Sequence, residues 1–338
     1  MGDLAGITEH LDHLTWLGVD ALWLSPFFRS PMHDFGYDVS DYCDVDPVFG
    51  TLADFDALLE AAHARGIRVL IDWVPAHTSS EHPWFVEARA SRSSPKRDWY
   101  VWRDAGPAGE LPNNWTSAFT QGAPAWTLDE ASGQLYLHSF LPEQPDLDWA
   151  NREVREAMQG TLRFWLDRGV DGFRADVIHN IGKDPALADV DPKLAKIPHC
   201  ALNDEPVTHA YLRDLRCLLD SYPNERAMVG EVFLLDTKQV APYYGRRDEL
   251  HLSFNFPPLF APWEAARWRE CVEDTFAVLD PVEAWPTWVL SNHDQKRHRT
   301  RYGSEARARA AAVLLLTLRG TPFLYMGEEL GLEDAEVP

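Results

Sequence analysis

Three acidic residues and one arginine set the chemistry that this chain can carry. Arg174 and Asp176 stand two residues apart in the run Gly-Val-Asp-Gly-Phe-Arg-Ala-Asp-Val, residues 169–177. The run reads as a strand, in which side chains two apart share a face, so the guanidinium and the carboxylate can sit together. A carboxylate beside a guanidinium keeps a low pKa and stays ionised, the state that a nucleophile or a charge stabiliser needs. An isolated Arg-x-Asp is equally an ordinary ion pair at a strand end, so its meaning turns on further acids. Glu231 closes Met-Val-Gly-Glu, and Asp294 lies in Ser-Asn-His-Asp-Gln, both after apolar runs. Asp72 with His77, and Asp38 with Tyr37, hold comparable positions nearer the start.

Carboxylates converging on one mouth can bind a metal or work on a glycosidic bond. The metal reading lacks a His cluster at ligand spacing. Retaining cleavage of a glycosidic bond needs two carboxyl groups about 5 to 5.5 Å apart, one ionised to attack the anomeric carbon and one protonated to serve the leaving oxygen. Arg174 favours Asp176 as the attacker. Glu231 sits among Val229, Val232 and Phe233, where desolvation raises a carboxyl pKa, as suits an acid that later acts as a base. Asp294, beside His293, is placed to bind sugar hydroxyls and to support an oxocarbenium-like transition state.

The scaffold for these residues is written in alternating periods. From Leu4, the positions Ile7, Leu11, Leu14 and Leu17 form one amphipathic helical stripe, stopped by Gly18, and Ala21 to Pro26 follows as a short buried strand. Thr51 caps a second helix with Leu52, Phe55, Leu58, Leu59 and Ala62 inside; Gly66 ends it, and Ile67 to Val74 is the next strand. Helical periodicity returns from Val154 through Leu166 and stops at Gly169, just before the Arg174 strand. Further strand-like runs lie at Ala227 to Val232, His251 to Phe256, Thr287 to Ser291 and Pro322 to Met326, separated by helical stretches such as Ala210 to Leu219 and Ala306 to Leu318.

Buried strands alternating with helices predict an α/β fold with a parallel sheet, and this many predict a (β/α) barrel, with an open doubly wound sheet as the alternative. No G-x-G-x-x-G turn follows an early strand, which disfavours a dinucleotide fold. In a parallel barrel the chemistry gathers at the C-terminal strand ends, where the acids fall. Residues 78–149 are rich in Pro, Gly, Ser, Asn and Trp, and read as a small irregular subdomain inserted after a strand. The expected division is therefore 1–77 with 150–338 as the barrel and 78–149 as the insertion.

Composition narrows the partner. Lys and Arg number 31 against 53 Asp and Glu in 338 residues, and the formal charge of -22 argues against broad nucleic-acid or anionic-membrane surfaces. The partner is neutral or small; 14 Trp would suit the apolar faces of sugar rings, although most Trp fill cores. The four cysteines are scattered, without C-x-x-C or metal-ligand spacing, and are expected as free thiols. No basic leader precedes an apolar run, and no stretch approaches the roughly 18 apolar residues of a membrane span, so a soluble cytoplasmic protein is expected. The oligomeric state stays open.

At this point several motifs, taken in order, resemble one family. They are Gly-Asp-Leu-Ala-Gly-Ile at residues 2–7, Gly36-Tyr37-Asp38-Val39 with Asp41-Tyr42, Asp72 to His77 with Thr78-Ser79, and His82-Pro83-Trp84-Phe85. Gln144-Pro145-Asp146-Leu147, Asp171 to Asp176, Gly230-Glu231, Asn292-His293-Asp294-Gln295 and Tyr325-Met326-Gly327-Glu328-Glu329 complete the set. Together they are similar to the α-amylase superfamily, glycoside hydrolase family 13, and within it to the oligosaccharide α-glucosidases. The resemblance covers nearly the whole chain and implies a (β/α)8 TIM barrel. It implies retaining hydrolysis of terminal nonreducing α-linked glucose from short oligosaccharides, without a cofactor. It further implies Asp176 as nucleophile, Glu231 as acid/base, Asp294 as stabiliser, and a glucose pocket of Tyr37, Asp38, His77, Arg174 and His293, with the tyrosine ring stacked on the sugar.

Transglucosylation, or isomerisation of sucrose or maltose, uses the same intermediate and is the alternative reading. A non-catalytic, transporter-associated relative is disfavoured because all three acids are present. Val177 resembles the α-1,6-acting members, yet Val is also the packing default in a strand, so linkage stays open. Ala76 stands where relatives carry an Asn that is a ligand in calcium-binding amylases, and no metal is expected there. Relatives also begin with a strand before Gly-Asp-Leu and continue past the eighth strand into a final helix and a β-rich domain. A chain lacking that first strand would leave strand edges exposed, and is expected to behave as a fragment of low stability and uncertain activity.

Overall fold

Asp3 begins the fold: its carboxylate accepts the Gly6 N–H at 2.7 Å and caps the helix Leu4–Glu9. A computed structural model describes residues 2–107, 109–120 and 122–335 of the chain. Met1 and 336–338 of the expected barrel segments, and Ala108 and Gln121 of the expected insertion, lie outside the described residues. Contacts divide the chain into two units, Met1–Met228 and Val229–Pro338.

In the first unit the single helical stripe expected from Leu4 to Leu17 is two helices, Leu4–Glu9 and Leu11–Leu17. His10 separates them; its backbone leaves the helical region, and its ring Nδ1 bonds the Gly6 carbonyl at 2.8 Å. Thr51 and Asp54 form a reciprocal capping box at the head of Leu52–His63; of the expected inner face Phe55, Leu58, Leu59 and Ala62 are buried, while Leu52 in the first turn is only half-buried. Helix Arg152–Asp167 buries Val154, Met158, Leu162, Trp165 and Leu166. The Trp165 ring meets Phe27, Phe28 and Phe55 at centroid distances of 4.9 to 5.5 Å. Each such buried side chain contributes about 1.5 to 3 kcal/mol, which seats the helices firmly on the sheet.

That sheet is parallel. Ala21–Leu24 pairs with Arg68–Trp73, which pairs with Gly172–Ala175, in a register that sets Leu24 against Ile71 and Asp72 against Arg174. The next segment approaches closely: Ala227 N–H donates to the Asp171 carbonyl at 3.0 Å, and a Cβ on Gly172 would collide with the Ala227 carbonyl. Only glycine admits that approach. Among the described residues Ala21–Leu24 pairs on one side alone.

Residues 78–149 contain the helix Pro83–Ala90 and a three-stranded antiparallel sheet with Gln134–Leu137 between Trp102–Asp104 and Trp126–Asp129. The sequence reading expected only short periodic pieces here. Pro83 at the first helical position and His82, which caps through Nδ1, mark the start of the helix, but with only Phe85 and Ala88 buried in eight residues it carries little apolar periodicity. Val101, Trp115, Ala125, Trp126, Leu135 and Leu137 form a cluster that Leu187, from beyond this segment, completes.

In the second unit the end of the strand Ala227–Gly230 pairs in parallel with Leu252–Ser253, and Thr287–Val289 pairs in parallel with Thr321–Phe323. Helices Ala265–Leu279 and Glu305–Thr317 pack around Trp268, Trp288, Leu290 and Leu315. The strands are shorter than the apolar runs predict, and the run His251 to Phe256 yields only Leu252–Ser253. There the Thr287 hydroxyl donates to the Ser253 carbonyl at 2.8 Å and accepts the Asn255 N–H at 3.1 Å, replacing ladder bonds. Pro257 and Pro258, which lack N–H groups, then turn the chain into a short helix. None of the four cysteines is in a disulfide, and among the described residues no helix is long and apolar enough to cross a membrane.

Candidate active site

Register alone brings the first charged group together. Asp72 lies directly opposite Arg174 across two parallel strands, and the Asp176 N–H continues the ladder to the Trp73 carbonyl at 2.9 Å. Side chains alternate along a strand, so Asp72, Arg174 and Asp176 project from one face. A single guanidinium nitrogen, Nη1 of Arg174, donates to Asp72 Oδ1 at 2.9 Å and to Asp176 Oδ1 at 2.5 Å. Arg174 is 3% exposed and Asp72 fully buried; charges at that depth persist only when paired. Asp72 Oδ2 accepts from the Tyr37 hydroxyl at 3.0 Å and the Trp23 indole at 3.3 Å. Both rings lie within 5.6 Å of the guanidinium, close enough for cation–π attraction. With both acids ionised the trio carries one net negative charge, suited to a centre that becomes positive.

Tyr37 sits on a loop that Asp38 shapes. Asp38 Oδ1 accepts from the Ser30 hydroxyl and the Asp34 N–H, and Oδ2 from the His33 N–H, all within 3.0 Å. The structure thus gives this buried carboxylate a role inside its own loop. His77 ends a segment anchored by the Tyr42 hydroxyl, 2.8 Å from the Val74 carbonyl and 2.7 Å from that of His77, and by the Trp149 indole on the Pro75 carbonyl. Its Nε2 is 3.1 Å from both the Tyr37 carbonyl and Gln144 Nε2, and the Phe140 ring covers it at 5.3 Å. Burial pushes the His77 imidazole down to about 4, so it is neutral at neutral pH. Its buried Nδ1 meets no hydrogen-bond partner among the described residues.

The chain leaving Asp176 is fastened at once. Val177 takes the left-handed conformation, φ 34° and ψ 44°, and starts the turn Ile178–Asn180. Lys183 then pairs with Asp146 at 3.0 Å, both buried. Burial alone would raise the Asp146 carboxyl, but Lys183 and two hydrogen bonds from Ser139 outweigh it and hold it below the usual carboxylate range. Asn180 Nδ2 adds a bond to the Ser139 hydroxyl at 3.0 Å. The motif Gln144 to Leu147 therefore steadies the segments carrying His77 and Asp176.

In the second unit Glu231 follows its strand directly and is buried, with Val229 and Val232 inside and the Phe233 ring against Phe256 at 5.0 Å. His293 and Asp294 occupy the loop after Thr287–Val289, where His293 Nε2 is 3.4 Å from Asp294 Oδ2. Asn292 Oδ1 accepts the N–H groups of Asp294 and Gln295 at 3.0 and 2.9 Å, folding the loop's first turn. The first unit thus holds Tyr37, Asp38, His77, Arg174 and Asp176, and the second Glu231, His293 and Asp294. Sequence alone places Asp72 at a strand end and Gln144 in a motif without giving either a role, and does not single out Trp23 or Phe140. The rule that chemistry gathers at strand ends pointed to Asp72; Trp23 carried no signal apart from an apolar strand.

The model of the alpha amylase catalytic domain matches residues 1–338. The chain is 44% identical over 365 residues to a probable alpha-glucosidase of Rhizobium meliloti (strain 1021), covering 100% of this chain and 64% of that protein. It is 40% identical over 360 residues to an oligo-1,6-glucosidase of Parageobacillus thermoglucosidasius, covering 100% and 63%. Among solved structures, the alpha-glucosyl transfer enzyme XgtA superposes with a TM-score of 0.93 at 46% identity, covering 100% of this chain and 66% of that one. The trehalulose synthase MutB of Pseudomonas mesoacidophila MX-45 does so with a TM-score of 0.93 at 37% identity, covering 100% and 63%. The chain spans a little under two thirds of the length of these relatives.

Proposed function

The chain belongs to the alpha-amylase family, and on that footing we propose that it removes terminal nonreducing α-linked glucose from short oligosaccharides with retention. Asp176 attacks the anomeric carbon while Glu231 protonates the departing glycosidic oxygen, giving a glucosyl ester on Asp176 and a free aglycone. Glu231, now ionised, takes a proton from water, whose oxygen attacks the same carbon and releases glucose and the Asp176 carboxylate. Asp294 supports the positive charge of both transition states, and Tyr37, Asp38, His77, Arg174 and His293 hold the glucose. The observation that carries this reading is Arg174 Nη1 held between Asp72 and Asp176, an arrangement that favours an ionised, fixed attacker. Residues 78–149 are assigned as an inserted subdomain, supported by their separate antiparallel sheet. The same reading places the chain in cytoplasmic carbohydrate metabolism, in keeping with four cysteines that form no disulfide.

Glucosyl transfer to a sugar in place of water is the second reading, favoured by the similarity to a transfer enzyme and a trehalulose synthase. A panel of glucose disaccharides and sucrose, with product analysis at low and high substrate, separates the two. Free glucose dominating at every concentration supports hydrolysis, and new disaccharides at high substrate support transfer. Asp176→Asn should retain binding and lose turnover; substantial residual cleavage would remove Asp176 from the nucleophile's role.

A further inference from the structure

The turn Tyr325 to Glu329 is a motif that the proposed reaction leaves unused. Within it, Glu328 is almost wholly buried, with 3% of its side chain exposed. One oxygen, Oε1, accepts a hydrogen bond from the Ser291 hydroxyl and stands 2.9 Å from His298 Nδ1. The other, Oε2, accepts the Tyr325 N–H at 3.0 Å, which fixes the carboxylate's orientation. The His298 N–H in turn donates to the Ser291 hydroxyl at 3.0 Å. Ser291 and His298 are the two feet of the loop that carries His293 and Asp294, so one carboxylate oxygen ties both feet. Asp294 lies between these feet, with 55% of its side chain exposed. The base of the loop is one of the constraints on its position.

We propose that Glu328 is a positioning residue for Asp294, clamping the feet of its loop so that the Asp294 carboxylate is presented at a fixed place to a bound sugar. The inference rests on the reading that Asp294 meets the glucose. Glu328 touches no substrate in this scheme. Removing it frees Ser291 and His298 from their common acceptor and lets the loop between them wander, at the expense of an ordered carboxylate.

The test has two arms, both on the full chain. Hydrogen exchange on Glu328→Gln should accelerate by about tenfold at the Asp294 and Gln295 amides, which Asn292 protects, while amides of the Gly172–Ala175 strand keep their wild-type rates. Unchanged exchange in the loop, or acceleration everywhere, overturns the clamp whatever the chain's activity. The second arm measures binding of a glucose-like iminosugar by calorimetry in a double-mutant cycle with Asp294→Asn. Glu328→Gln should weaken binding about tenfold in the parent and less than twofold in the Asp294→Asn background. Equal losses in both backgrounds mean a general structural role and refute the inference; no iminosugar binding by the parent refutes the glucose-site reading and the inference with it. Should Glu328→Gln fold poorly, Ser291→Ala, which removes one foot alone, must give the same pattern at smaller amplitude.

Discussion

Replacing Arg174 with methionine should destabilise the first unit by about 3 to 5 kcal/mol, the range for removing one partner of a buried ion pair. The geometry puts the chain at the upper part of that range. One nitrogen serves two carboxylates, Asp72 at 2.9 Å and Asp176 at 2.5 Å, and its loss leaves two like charges facing each other across adjacent strands. Methionine fills most of the volume, so the cavity contribution is small. At roughly 2 to 4 °C per kcal/mol for a unit of this size, the melting temperature should fall by about 8 to 20 °C. Asp72→Asn added to Arg174→Met removes one orphaned charge while its amide oxygen still accepts from Tyr37 and Trp23, and should restore about 2 kcal/mol. The assay is thermal and urea unfolding followed by tryptophan fluorescence, on both single variants and the double. A loss under about 1 kcal/mol for Arg174→Met, or a double variant less stable than the single, would show that this ion pair is not what holds the buried acids.

Two further outcomes follow from named residues. Val177 is β-branched at φ 34°, a conformation costing an L-residue about 1 to 2 kcal/mol; since Val177→Ala and Val177→Gly lose similar packing, the Gly variant should unfold about 1 kcal/mol later than the Ala variant, and the usual order in urea melts would refute the strain. Burial pushes His77 down to about 4 and His82 and His199 down to about 3, below their unfolded value of about 6.5. The unfolded chain therefore takes up protons first: stability is complete above pH 6.5 and is lost as pH falls towards the folded values, by up to about 1.4 kcal/mol per pH unit for each histidine. His199→Phe keeps the stack on Trp115, now 3.6 Å between centroids, and should flatten the slope between pH 6 and 4 by about one proton's worth; an unchanged slope removes His199 from the account.

The alternation of apolar runs and the punctuation at Thr51, Gly66 and Gly169 determined the elements by themselves, because burial and capping are local in their demands. Parallel pairing was legible for the same reason, since strands buried on both faces read as continuous apolar runs. So were the acids after strands, Asp176, Glu231 and Asp294, and the grouping of Arg174 with Asp176, which needs only the alternation of a strand. What the sequence could not determine was register. That Asp72 falls opposite Arg174, so that a third residue from another strand shares the guanidinium, follows from how two strands align over a separation of 102 residues. Trp23 joined the same group only when its strand lay beside Asp72. Asp38, proposed for the sugar pocket, also accepts the backbone N–H groups of His33 and Asp34 in its own loop, a local duty that the sequence does not spell out. The break at His10 and the two-residue strand at Leu252–Ser253 belong to the same class. In each, a side chain replaced a backbone bond, and which backbone groups lacked partners was decided only by the folded chain.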